Sequence, residues 1–166
     1  SEIEPSDGVM YNACVSYYQR EAILRSHLGT LPSMVIVGID EGGEVDTIEF
    51  NKRRKTFSDI EKNEYLTLLH KLEIAVRKKD LYSIGTIATR SAILNQKLKP
   101  NKYLDSLIEI NKQIKGLGIA IAHSGTYVGL LLDSTDFNLL LKIEKIKTLL
   151  SSKEINIVPQ IYYSLY

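Results

Sequence analysis

The sequence predicts an α+β fold, an antiparallel sheet with helices packed on one face. Three observations carry that expectation. A compact β-branched run stands at residues 34–39, and apolar strand-like runs stand at 119–122 and 127–133. Stretches with apolar residues at helical spacing separate and follow them. The resulting order is helix, two strands, three helices, two strands, helix, strand. The 166 residues, 44% hydrophobic and 25% charged, suit a single globular domain over 1–166 with its own core.

The first element is expected to be a helix starting after Ser6-Asp7-Gly8. Val9, Cys14, Val15, Tyr18, Ala22 and Leu28 form its stripe, and Gly29 ends it. Residues 34–39 read as a strand buried on both faces. Glu41-Gly42-Gly43-Glu44 is turn chemistry, and residues 45–50 alternate as a second strand. Ser58-Asp59-Ile60-Glu61 is a capping box that opens the next helix, with Tyr65, Leu68, Leu69, Leu72 and Val76 inward. Asp80 restarts a helix that runs to about Leu98 and breaks at Pro100-Asn101. A helix over 102–115 is closed by Gly116 and Gly118. Two strands, 119–122 and 127–133, are joined by His123-Ser124-Gly125-Thr126. Ser134-Thr135-Asp136 offers caps for a last long helix through Leu150. A final strand over 155–163 contains Pro159, which argues for an edge position or a bulge.

Composition excludes several classes of function. The net charge is +1 and the basic residues are dispersed, so neither nucleic acid nor an anionic membrane is an expected partner. Lys52-Arg53-Arg54-Lys55 reads as a solvated loop. The single cysteine, Cys14, forms no internal disulfide and reads as a buried small residue in a reducing cytoplasm. No signal peptide opens the chain and no apolar run reaches the length of a membrane span. The opening Ser1-Glu2-Ile3-Glu4 lacks an initiating Met, so the chain is expected to be a fragment or a processed product.

Three segments are more polar or richer in glycine than their neighbours require. Glu4-Pro5-Ser6-Asp7-Gly8 is a helix start, or a carboxylate beside a natural anion site that can take a proton from a substrate hydroxyl. Asp40-Glu41-Gly42-Gly43-Glu44-Val45-Asp46-Thr47 is an acidic turn, or a receptor for a cation or an ammonium group. Residues 118–129 hold the polar tetrad His123-Ser124-Gly125-Thr126 between two apolar strands. That is a tight hairpin, or a loop whose amides approach a phosphate. His123 has no partner at ligand spacing and reads as an ordinary structural histidine; no metal site is expected. No zinc spacing, P-loop or dinucleotide fingerprint occurs.

Together these segments resemble the C-terminal half of the GHMP kinases, the family of galactose, homoserine, mevalonate and phosphomevalonate kinases. Residues 118–132 look like the family's third motif, a glycine-rich stretch between two strands. Gly85 and Leu104-Asp105-Ser106-Leu107 lie in the helices that approach it. Ala122-His123-Ser124-Gly125-Thr126 stands where the family carries more glycine. Within the family, this segment, residues 4–11 and residues 40–47 look like the L-threonine kinases of propanediol utilisation and cobalamin biosynthesis. The resemblance implies a ferredoxin-like C-terminal domain and ATP with Mg2+ in the complete enzyme. It implies Asp7 as the catalytic aspartate, with His123, Ser124, Gly125 and Thr126 at the substrate and phosphate side. Glu41, Glu44 and Asp46 become candidates for the substrate ammonium. The family's second motif, a Gly-Leu-(Ser)n-Ala stretch holding the ATP phosphates, has no counterpart here. The expected partner is therefore an N-terminal half of the same protein, and the fragment alone is expected to bind no cofactor and to turn over little. Two other readings are a stand-alone amino-acid-binding or regulatory module, and an interaction module that forms a homodimer or pairs with another subunit.

Overall fold

The computed structural model describes residues 11–18, 23–42, 57–122 and 125–164. Six strands and four helices lie among them: β1 (Cys14–Tyr18), β2 (Ile23–Gly29), β3 (Met34–Asp40), α1 (Asp59–Arg77), α2 (Leu81–Asn95), α3 (Leu104–Ile114), β4 (Gly118–Ile121), β5 (Tyr127–Asp133), α4 (Leu139–Ser152) and β6 (Gln160–Tyr163). Strands β4-β5-β3-β6 form an antiparallel sheet in that order, and β1 and β2 pair separately as an antiparallel ribbon. The α+β class and the antiparallel sheet expected from the sequence are both present.

One face of the sheet is a closed core. Val35, Val37 and Ile39 of β3 and Val128, Leu130 and Leu132 of β5 alternate onto it, as the two-residue strand period requires. Leu107 and Ile110 of α3 and Ile146 and Leu150 of α4 pack against them. A second cluster joins Met34 and Leu131 to Ala75 and Val76 of α1, to Ile84 and Ile87 of α2, and to Leu28 of β2.

Helix α2 lies along the free edge of β4. The Ile119 N–H donates to the Thr89 hydroxyl at 2.9 Å, which satisfies an edge amide that the ladder leaves unpaired. The backbones meet where two glycines face each other: a Cβ on Gly118 would run into the Gly85 carbonyl, and one on Gly85 would strike Leu117. Glycine is needed at both positions for this approach.

Local chemistry explains most of the boundaries. Ser58 and Glu61 make the reciprocal capping box, with Ser58 N–H to Glu61 Oε2 at 2.7 Å and Glu61 N–H to Ser58 Oγ at 3.3 Å. Asp80 caps α2 by accepting from the Ser83 N–H at 3.0 Å. Lys115, rather than Gly116, takes the left-handed turn that ends α3, with φ 52°. Helix α4 starts later than expected, at Leu139. Asp133 and Asp136 fold back onto the amides of Thr135 and Asn138, and these local turns compete with the helix. β6 is shorter than expected and begins after Pro159; it is an edge strand, the position that Pro159 predicts.

The expected first helix is overturned. Residues 14–18 and 23–29 are extended and paired. Along β2 exposure alternates, with Ile23, Arg25 and His27 outward and Leu24, Ser26 and Leu28 inward. The β-branched and aromatic residues Val15, Tyr17, Tyr18 and Ile23 favour the pleated form. The helical spacing of Cys14, Val15, Tyr18 and Leu28 is a coincidence. The expected strand over 45–50 and the basic run Lys52-Arg53-Arg54-Lys55 lie outside the described residues.

Candidate functional site

Of the residues that the sequence singles out, Glu41, Gly125 and Thr126 are described; Asp7, Glu44, Asp46, His123 and Ser124 lie outside the described residues. The three described ones come together at one end of the sheet. β3 and β5 run antiparallel, with Asp40 opposite Tyr127, so the chain leaving β3 meets the chain entering β5. The Glu41 N–H donates to the Thr126 carbonyl at 2.9 Å and extends the ladder by one bond. Among the described residues, Glu41 Oε2 is buried without a hydrogen-bond partner. A buried carboxylate oxygen left unmatched is costly unless something cationic or a donor meets it. Asp40 turns its Oδ1 to the Gly42 N–H at 2.9 Å, where Gly42 adopts φ +74°.

The β4–β5 connection is held from the other side as well. Gly125 adopts φ +73°, and its N–H donates to the Ala122 carbonyl at 2.8 Å. Asn101, in the α2–α3 connection, donates from Nδ2 to the Gly125 carbonyl at 3.4 Å. Sequence reasoning passed over Asn101 as a helix breaker beside Pro100.

Two hollows meet at Ala120–Ala122, just before this connection. The larger, about 770 Å³, is walled by Tyr65, Leu69 and Leu72 of α1 and by Ile87 and Ala88 of α2, with Arg25 and Lys62 contributing cations. Of the stripe predicted to bury α1, Val76 is buried as expected, whereas Tyr65, Leu68, Leu69 and Leu72 are only part-buried and open onto this cavity. The smaller hollow, about 390 Å³, lies on the sheet face that α3 and α4 leave uncovered, against Ile36, Gly129, Tyr127 and Tyr162. There the Tyr127 and Tyr162 hydroxyls meet at 2.8 Å and both reach Gln160 Oε1. Burial, and then the bond to Tyr162, push the Tyr127 phenol up to about 12, so it stays protonated and can donate. Among the described residues no group of three His, Cys, Asp or Glu could hold a metal ion. None of the described helices is long and apolar enough to cross a membrane. Cys14 is half-buried against the second cluster, and burial raises its thiol pKa.

No family model matches the chain. The L-threonine kinase of Citrobacter freundii is 34% identical over 87 residues, which is 52% of this chain and 29% of that protein. Among solved structures, the L. major mevalonate kinase in complex with R-mevalonate superposes with a TM-score of 0.66 at 15% identity. That match covers 86% of this chain and 45% of the other. A homoserine kinase from Cytophaga hutchinsonii gives 0.55 at 20% identity, over 81% and 43%. A putative homoserine kinase from Listeria monocytogenes gives 0.58 at 13% identity, over 86% and 45%. The chain therefore spans less than a third of the curated relative and under half of each solved neighbour. The resemblance read from the sequence is borne out over about half of the chain by the L-threonine kinase, and the expected fold is borne out by the mevalonate and homoserine kinase structures.

Proposed function

We propose that this chain is the substrate-side, C-terminal part of an ATP-dependent GHMP-type kinase, and that the complete protein phosphorylates the hydroxyl of L-threonine. The product is O-phospho-L-threonine, the precursor of an aminopropanol group in adenosylcobalamin synthesis, made in the cytoplasm. The similarity to an L-threonine kinase supports the substrate, and the fold supports the family. One observation in the site carries the reading: Glu41, whose N–H holds the Thr126 carbonyl, has a buried Oε2 with no hydrogen-bond partner among the described residues, which suits the ammonium group of an amino acid.

In this account each part of the chain has one task. Glu41, aided by Glu44 and Asp46, receives the substrate ammonium. The turn at Gly125 and Thr126, with His123 and Ser124, borders the phosphate. Asp7 takes the proton from the substrate hydroxyl. ATP supplies the phosphoryl group and Mg2+ offsets its charge. The phosphate-holding motif belongs to an N-terminal part of the longer protein. The pairing of carboxylate with ammonium is also the basis for preferring L-threonine or L-homoserine over an alcohol that lacks an amino group.

The test is an assay of the complete protein with ATP and L-threonine, L-homoserine or R-mevalonate. Phosphorylation of an amino acid in preference to mevalonate is the expected result. Saturable L-threonine binding with no nucleotide effect would instead favour an amino-acid-binding or regulatory module.

A further inference from the structure

Asn101 is a polar residue in a connection between helices, yet it is only 6% exposed. Buried amides persist when their hydrogen bonds are made, and those of Asn101 lead from one element to the next. Its own N–H donates to Gln96 Oε1 at 2.7 Å, and Gln96 Nε2 donates to the Ala92 carbonyl inside α2 at 3.1 Å. Its Oδ1 accepts from the Tyr103 N–H at 3.0 Å, ahead of α3. Its Nδ2 is turned to the Gly125 carbonyl. Lys99 runs past the same glycine: a Cβ on Gly125 would stand 2.7 Å from the Lys99 Cδ. From the opposite side the Glu41 N–H holds the Thr126 carbonyl.

We propose that Asn101 is a positioning residue for the β4–β5 connection, holding the Gly125 carbonyl back while the Lys99 stem fills the space under the glycine. An anion is bound by amide groups that face it and is repelled by a carbonyl that turns toward it. Tying the Gly125 carbonyl to Asn101 keeps that oxygen from turning toward an anion at this end of the sheet. Asn101 touches no substrate in this scheme; it acts through the backbone of Gly125. The inference rests on reading that connection as the phosphate side of the site.

The competing role is purely structural: Asn101 would serve only to cap the Tyr103 N–H. Asn101→Asp separates the two, because it keeps size and the Oδ1 acceptor but loses the donor to Gly125. In the complete protein, hydrogen exchange is expected to speed up in the peptide spanning 119–130 and to stay unchanged in α3. With ATP and L-threonine, kcat/KM for ATP is expected to fall about tenfold or more, the range for one hydrogen bond lost from a buried group. The KM for L-threonine should change less. If Asn101→Asp does not fold, Lys99→Ala is expected to speed exchange in the same peptide. Unchanged exchange in 119–130, or acceleration confined to α3, overturns the proposal. Exchange that responds as expected in a protein with no kinase activity leaves the positioning role standing and removes the kinase reading instead.

Discussion

The Thr89 hydroxyl accepts the Ile119 N–H at 2.9 Å, so α2 seals the free edge of the strand that feeds the candidate site. A seal of this kind does two things. It satisfies an amide that would otherwise invite another chain, and it fixes β4 relative to the helix that leads into the connection carrying Asn101. Thr89→Val keeps the shape and removes the acceptor. It should cost about 1–3 kcal/mol, the penalty for leaving one buried donor unmatched. Chemical denaturation measures it, and a cost below about 0.5 kcal/mol would show that the edge is satisfied in another way.

The core face and the exposed apolar residues make a matched pair of tests. Leu107 is 0% exposed between α3 and the sheet, and Phe137 is 99% exposed. Leu107→Ala should lose about 2–5 kcal/mol, from the transfer of its methyl groups and from the cavity left behind. Phe137→Ser should stay within about 0.5 kcal/mol of the parent. A large loss at Phe137 would reveal a contact that this chain makes in solution.

Acid should loosen the junction of α1 and α2. The Lys97 ammonium, at 2.8 Å, and then the Ser58 backbone and hydroxyl hold the Glu61 carboxyl at about 2, below its ordinary value of 4.5. A depressed carboxylate contributes its stability above the ordinary value and loses it as pH falls toward the folded one. Stability should therefore decline between roughly pH 5 and pH 2 in the parent, and this part of the decline should vanish in Glu61→Gln. Because the group is exposed, added salt should shrink the difference. Thermal unfolding across that range checks both points.

Glu41→Gln tests the proposed ammonium receptor. It keeps the shape and the backbone bond to Thr126 but removes the charge. In the complete protein the KM for L-threonine should rise about 10- to 100-fold, the range for a charge-assisted hydrogen bond, with a smaller change in kcat. Equal loss in kcat and kcat/KM would instead place Glu41 in the transition state.

Legibility in the sequence followed the range of the interactions. The Ser58–Glu61 box, the Asp80 cap and the edge position implied by Pro159 are local effects, and each was readable from a few neighbouring residues. Strand β3 announced itself by a β-branched run, and β4 and β5 by apolar runs on either side of a polar tetrad. The β1–β2 ribbon did not, because Cys14, Val15, Tyr18 and Leu28 satisfy a helical stripe about as well as a strand pair. Only their pairing and the packing of β2 on α1 decide between the two. In the site, the turn at Gly125 was visible as composition, and its proximity to Glu41 was not: that comes from the register of β3 against β5. Asn101 gave no signal beyond its place after a proline. Its burial against Gly125 is a tertiary fact.

The central claim is that the complete protein transfers phosphate to an amino-acid hydroxyl with Asp7 as its base. The most direct measurement is the rate of O-phospho-L-threonine formation from ATP and L-threonine by that protein and by its Asp7→Ala form. The account predicts activity in the parent and a loss of about 100- to 10,000-fold in the variant, the usual contribution of a positioned general base. An undiminished rate in Asp7→Ala, or a parent protein that forms no phosphothreonine, would contradict it.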